Sequence, residues 1–286
     1  IGGPTGAFIP IVYGIVAEQS IGKLFIAGII PGLIMAGAFI AYQVRAAIRS
    51  AAKALPVAGD EGSVSGRDRL LALKHVAPIA VLIWIILGSI YQGVATPTEA
   101  AALGVIASLL LSSVIYRELT LRKVLVILED AARGSVMVLM IIAGAMVFGY
   151  VMTTTQVAPA ISQAVAGLGV SPWLIFIAIN LLLVFLGCFM ETLSIIVITA
   201  PILIPIVSTF GWDLIWFGII LIINMEMALI TPPVGLNLFV VQGVVRDVPL
   251  EQIIRGTFPY VLIMIGVLAL VALFPSLATA LVGHVR

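Results

Sequence analysis

Charge is what this chain has least of. Its 286 residues include 14 Lys or Arg and 13 Asp or Glu, so 9% are charged and the formal net charge is +1. A soluble domain carries about 25% charged residues, and this shortage argues against a soluble globular enzyme. The chain is neutral and has no basic face, which argues against nucleic-acid binding. Its single cysteine, Cys188, excludes an internal disulfide framework and a multi-Cys metal site. The two histidines, His75 and His284, sit at the ends of apolar runs and read as interfacial. The alternating segments of about ten residues that a membrane barrel needs are absent. A start methionine and a signal-peptide pattern are missing too, so Ile1 is expected to lie inside a longer gene product.

In place of charge there are long apolar runs, and 62% of residues are hydrophobic. About 20 apolar residues cross a bilayer as a helix. Full-length candidates are Leu24–Ala47, Val76–Gln92, Ala100–Tyr116, Ser135–Thr153 and Phe258–Leu281. Pro172–Met190 and Ser194–Val207 lie only a few residues apart, Thr199, Pro201 and Pro205 marking the end of the second arm. Asp213–Ile230 precedes a Pro-Pro and the short piece Val234–Val245, and another short piece, Ala7–Ala17, opens the chain. If 172–207 is a hairpin that enters and leaves on the outer side, 12 of the 14 basic residues fall on one face, read as cytoplasmic. The C-terminus then comes out periplasmic. Ala51–Asp68 reads as a linker, and Leu121–Arg133 as an amphipathic helix on the cytoplasmic surface.

Two segments resemble each other. Pro4, Gly6 and Gly14 match Pro233, Gly235 and Gly243; Glu18 and Asp247 follow; after a slip of one residue, Gly28 and Pro31 match Gly256 and Pro259. The topology gives the two copies opposite directions, the layout of an inverted repeat with a broken helix in each half. Proline cannot continue a helix, so Pro232-Pro233 interrupts one. Unwound backbone at membrane depth leaves carbonyls unpaired, and a sodium ion is a suitable partner for several neutral oxygens. The hairpin tip, 187–194, gathers Gly187, Glu191, Thr192 and Ser194 between apolar arms, and polar groups there are functional by default. Glu191 or Glu226 can carry a proton, bind a cation or pair with an arginine. Cys188 reads as packing.

The runs Thr96-Pro97-Thr98-Glu99-Ala100 and Thr231-Pro232-Pro233-Val234-Gly235-Leu236-Asn237, with 18–25 and Gly28-Ile29-Ile30-Pro31-Gly32, resemble the large membrane subunit of tripartite ATP-independent periplasmic (TRAP) transporters. The resemblance implies an all-α polytopic membrane protein: an inverted-repeat, elevator-type transporter with a re-entrant hairpin and broken helices. It implies a sodium-coupled importer of a small organic anion, typically a carboxylate, in a bacterial or archaeal inner membrane. Expected partners are a small four-helix membrane subunit, a periplasmic substrate-binding protein and the lipid bilayer, with no cofactor beyond sodium as coupling ion. One sodium site would use Gly187, Ala228, Thr231 and Val234, mostly through backbone carbonyls. A second would use Gly2, Gly3 and Pro4. Thr192, Ser194 and Asn237 would meet the substrate. The implied division is 1–19 as the end of the first broken helix and 20–133 as scaffold. Transport domain follows over 134–248, with hairpin 172–207 and broken helix 213–245, and then a scaffold helix over 249–286. The alternative is a sodium/dicarboxylate or anion carrier of the same superfamily working without a binding protein. An intramembrane hydrolase lacks the paired residues it would need, and a passive scaffold needs no polar hairpin tip.

Overall fold

The computed structural model describes residues 4–51, 66–116, 119–245 and 248–284, and among these there is helix and turn but no strand. The helices are α1 (Pro4–Val16), α2 (Ile21–Ala27), α3 (Ile29–Ala51), α4 (Gly66–Tyr91), α5 (Pro97–Leu111), α6 (Leu121–Thr154) and α7 (Val157–Gly167). They continue with α8 (Pro172–Gly187), α9 (Thr192–Thr209), α10 (Leu214–Ala228), α11 (Leu236–Val244), α12 (Leu250–Leu273) and the single turn α13 (Ser276–Thr279). A π-helical turn over Ser112–Tyr116 extends α5. Among the described residues five stretches are long and apolar enough to cross a membrane: Ile21–Arg49, Pro97–Val114, Leu121–Thr154, Thr192–Thr209 and Leu250–Leu273. The chain is thus an all-helical, multi-pass membrane protein. Residues 52–65 of the expected linker, Arg117, Arg246 and Asp247 of the basic connections, and Gly2 and Gly3 lie outside the described residues.

Several boundaries differ from the sequence reading, for physical reasons. Leu121–Arg133 and Ser135–Thr153 are one 34-residue helix, α6, since no proline separates them and Arg133 pairs with Glu129 at 2.7 Å one turn back. The uncharged connection Thr155–Ser171 contains α7, which lies on α9 with the hydroxyls of Ser162 and Thr209 3.4 Å apart. Pro201 and Pro205 do not end α9. Each proline removes one amide hydrogen and leaves the carbonyl four residues back, Val197 and Pro201, without its helical donor, and the packing of α9 against α1 and α7 carries the helix through them. The last long helix starts at Leu250 and stops at Leu273, because Pro275 cannot continue it.

The described residues form two compact units, those of 4–39 with 136–284, and those of 40–135. In the smaller unit α4 and α5 form a hairpin, with Gly104 of α5 set tightly against Ile86 of α4. In the larger unit α10 is the central element. It packs against α1, α2, α8, α9, α12 and α13, and Trp216, Phe217, Ile219, Ile220, Leu221 and Met225 on it are almost fully buried. Asp213 caps it, accepting from the Trp216 amide at 2.8 Å. Gly218 admits the ring of Tyr13 and the side chain of Leu24, and a β-carbon there would stand 2.6 Å from Tyr13 Cε1. The Tyr13 hydroxyl donates to the Leu214 carbonyl (2.7 Å) and the Trp216 indole to the Val271 carbonyl (2.8 Å), which ties α1 and α12 to α10.

Candidate functional site

Two helices deliver the site. α8 and α10 run parallel: Phe176 stacks on Trp216 (5.4 Å between centroids), Asn180 meets Asn224, and Gly187 meets Ala228. Both helices stop at the same end of this contact. α8 gives way to the turn Cys188–Glu191, and α10 to the irregular segment Leu229–Gly235. The turn is short because Glu191 restarts helix at once. As N-cap of α9 its Oε2 accepts from the Ser194 amide at 3.3 Å and faces the Ser194 hydroxyl at 3.5 Å. The segment after α10 is irregular because Pro232 and Pro233 offer no amide hydrogens; their peptide bond is cis. Gly235 then adopts φ +51°, and a β-carbon on it would come within 3.0 Å of the Thr231 carbonyl oxygen. The interruption closes with the Asn237 amide donating to the Leu229 carbonyl at 3.1 Å, and α11 begins.

The turn and the interruption touch. A β-carbon at Gly187 would collide with that of Ala228, so only glycine permits this approach. One residue on, the Cys188 thiol donates to the Pro232 carbonyl at 3.3 Å. The thiol read from sequence as packing therefore also joins the hairpin tip to the interruption.

The predicted site residues fall as follows. Gly187 and Ala228 are in contact. Thr231 and Val234 lie in the interruption, half-buried, with the Thr231 hydroxyl donating back to the Met227 carbonyl at 2.6 Å. Thr192 is the first residue of α9 and is buried, while Ser194 is half-buried on the same turn and engaged with Glu191. Asn237 is half-buried on the first turn of α11, and no hydrogen bond joins it to Thr192 or Ser194 among the described residues. Pro4 opens α1, whereas Gly2 and Gly3 lie outside the described residues. Glu226, one turn before Ile230, has a buried Oε1 without a hydrogen-bond partner among the described residues. No cluster of three or more His, Cys, Asp or Glu side chains is present among them. Sequence reasoning missed Asn180, whose amide meets Asn224 inside the apolar contact; an asparagine in the middle of a sixteen-residue apolar run was the available signal.

Comparison with known proteins is consistent along the chain. The family model described as the DctM component of tripartite ATP-independent periplasmic transporters matches residues 4–277. The C4-dicarboxylate TRAP transporter large permease protein DctM of Pseudomonas aeruginosa is 39% identical over 284 residues, which is 98% of this chain and 65% of that protein. The isethionate TRAP transporter permease protein DctMQ of Oleidesulfovibrio alaskensis is 37% identical over 289 residues, 98% of this chain and 44% of that protein. The sialic acid TRAP transporter large permease protein SiaM of Vibrio cholerae is 35% identical over 266 residues, 93% of this chain and 61% of that protein. The chain thus spans between 44% and 65% of the length of these relatives, which are transporter permeases and not enzymes. On a family match over residues 4–277 and relatives of this identity, the chain belongs to the DctM component family of tripartite ATP-independent periplasmic transporters.

Proposed function

We propose that this chain forms part of the permease subunit of a sodium-coupled importer of small organic anions, delivered by a periplasmic binding protein. The observation that carries the reading is the seating of the hairpin tip on the helix interruption, Gly187 on Ala228 and Cys188 on the Pro232 carbonyl. In secondary transporters, interruptions of this kind gather half-helix ends and free carbonyls at one ion and substrate site. Carbonyls of Gly187, Ala228, Thr231 and Val234 would hold one sodium, and Gly2, Gly3 and Pro4 would contribute to another. The anion would meet the N-terminal amides of α9 and α11, where the helix dipole favours negative charge, with Thr192, Ser194 and Asn237 around it. The compounds in the relatives' names, C4-dicarboxylate, sialic acid and isethionate, are all organic acids.

On this reading α8–α9 is a re-entrant hairpin, and α1 and α11 belong to inverted repeats. The transport domain, 134–248 with the end of the first broken helix, moves as an elevator, and a small four-helix membrane subunit supports the permease. The basic loops face the cytoplasm of a bacterial or archaeal cell and the C-terminus faces the periplasm. Charge balance supplies the coupling: without sodium the tip is loose and the anion uncompensated.

The test is uptake of a labelled C4-dicarboxylate into proteoliposomes holding the whole permease with its small subunit and binding protein. Thr231→Ala removes the hydroxyl that steadies the first turn of the interruption. It should raise the sodium concentration for half-maximal uptake by about tenfold, near the 1.4 kcal/mol of a lost hydrogen bond, while the amount inserted stays the same. Equal uptake with potassium in place of sodium would overturn the coupling. Uptake without the binding protein would favour an independent carrier of the same superfamily.

A further inference from the structure

Between the aromatic end and the tip, α8 and α10 share one polar contact. Asn224 Nδ2 donates to Asn180 Oδ1 at 2.9 Å and to the Asn180 carbonyl at 3.2 Å, and Asn180 Nδ2 donates to the Phe176 carbonyl at 2.8 Å. The network itself orients both amides. The Phe176 carbonyl only accepts, so Asn180 gives it Nδ2 and turns Oδ1 toward Asn224, which must answer with its own Nδ2. Asn224 Oδ1 is then left buried with no partner among the described residues, on a residue that is 0% exposed.

A pair that strands a buried acceptor is a poor way to gain stability, since an apolar pair of similar size would leave nothing unmet. It is a good way to fix register. The remaining facing side chains are largely apolar, and such surfaces tolerate sliding. An amide pair on two facing helices is satisfied at one offset only. Because the helices run parallel, the offset set at Asn180 and Asn224 is inherited at their ends. A slide of one turn, about 5.4 Å, would carry the Cys188 thiol away from the Pro232 carbonyl and unseat Gly187 from Ala228.

We infer that the Asn180–Asn224 amide pair is a positioning device that sets the register of α8 on α10 and so holds the hairpin tip on the helix interruption. The register stands on geometry alone; its consequence for transport rests on the sodium reading proposed above.

Cys188 is 5% exposed and reports the seating directly. The test measures alkylation of the Cys188 peptide by a membrane-permeant maleimide, by mass spectrometry, in membranes holding the whole permease. Asn224→Leu should speed it by about threefold to about twentyfold, the range that interhelical polar contacts command in membranes. It should raise the sodium requirement for uptake by a similar factor with little change in maximal rate. The double variant Asn180→Leu/Asn224→Leu should be no worse than Asn224→Leu, because the pair acts as one unit. If the leucine variants fail to accumulate, Asn224→Ser and Asn224→Gln decide. Faster alkylation in the serine variant and rescue by the glutamine support the device, and native rates in the serine variant overturn it. Unchanged alkylation in a well-folded Asn224→Leu overturns it as well. Faster alkylation with unaltered sodium dependence would support the register device and overturn the assignment of sodium to the tip and interruption, so the two readings fail separately.

Discussion

The molecule builds two helical hairpins with the same local chemistry and puts them to different ends. The α4–α5 turn runs over 92–96, with Gly93 at φ +67°. It closes with a capping box in which Thr96 and Glu99 satisfy each other's amides at 2.8 and 3.3 Å. The α8–α9 turn runs over 188–191 and closes with Glu191 accepting from Ser194. In the first a threonine caps the second helix with an acid three residues on, and in the second the acid is itself the cap. The first tip is exposed, with Val94 75% accessible. In the second, Cys188, Thr192 and Leu193 are buried, and the tip rests on the unwound segment after α10. Local sequence thus suffices to fold a hairpin back on itself. What distinguishes the second hairpin is the surface it lands on.

The sharpest way to break this comparison is to add one methyl group to each hairpin. Gly187→Ala meets the Ala228 β-carbon, which is fixed to backbone and cannot turn aside. Such overpacking costs about 1–3 kcal/mol, so uptake should fall by about tenfold or more, given that 1.4 kcal/mol is tenfold. Gly104→Ala meets Ile86 Cδ1 at 2.7 Å, the mobile end of a side chain that can change rotamer. There the helix gains about 0.8–1 kcal/mol from replacing glycine, which offsets the crowding and leaves stability near native. Thermal unfolding of both purified variants, read beside uptake, checks the pair. An equal loss at Gly104 would mean that the tip's partner is not what distinguishes the hairpins.

The same contrast explains what could be read from sequence. Helices driven by long apolar runs were legible, and so was the interruption, because two prolines and a glycine act through their own backbone chemistry. The tip was legible as a polar island in an apolar stretch. α7 was not, because an uncharged connection with Ala, Ser and Gln carries no strong periodicity. The passage of α9 through Pro201 and Pro205 was hidden because the elements packed against it, α1 and α7, are far from it in sequence. The contact of Asn180 with Asn224 was hidden for the same reason: two residues 44 positions apart meet only once α8 lies on α10. Cys188 looked like filler because a thiol is a weak donor, and its acceptor, the Pro232 carbonyl, lies on another element.

The smallest effects should come from the caps, and they separate local folding from tip seating. Thr96→Ala and Glu191→Ala each remove an N-cap acceptor, a change worth about 1 kcal/mol. In α5 the loss should stay local: a slightly lower unfolding temperature, with Cys188 alkylation as in the native protein. In α9 the loss of Glu191 frees the Ser194 amide one turn from a buried tip, so a similar drop in stability should come with faster alkylation of Cys188. Glu191→Asn, which keeps a capping oxygen without the charge, should restore the native rate if the residue works as a cap. If the carboxylate matters for its charge instead, the asparagine variant will alkylate as fast as the alanine one. The comparison would then shift from what the tip rests on to what charge it carries.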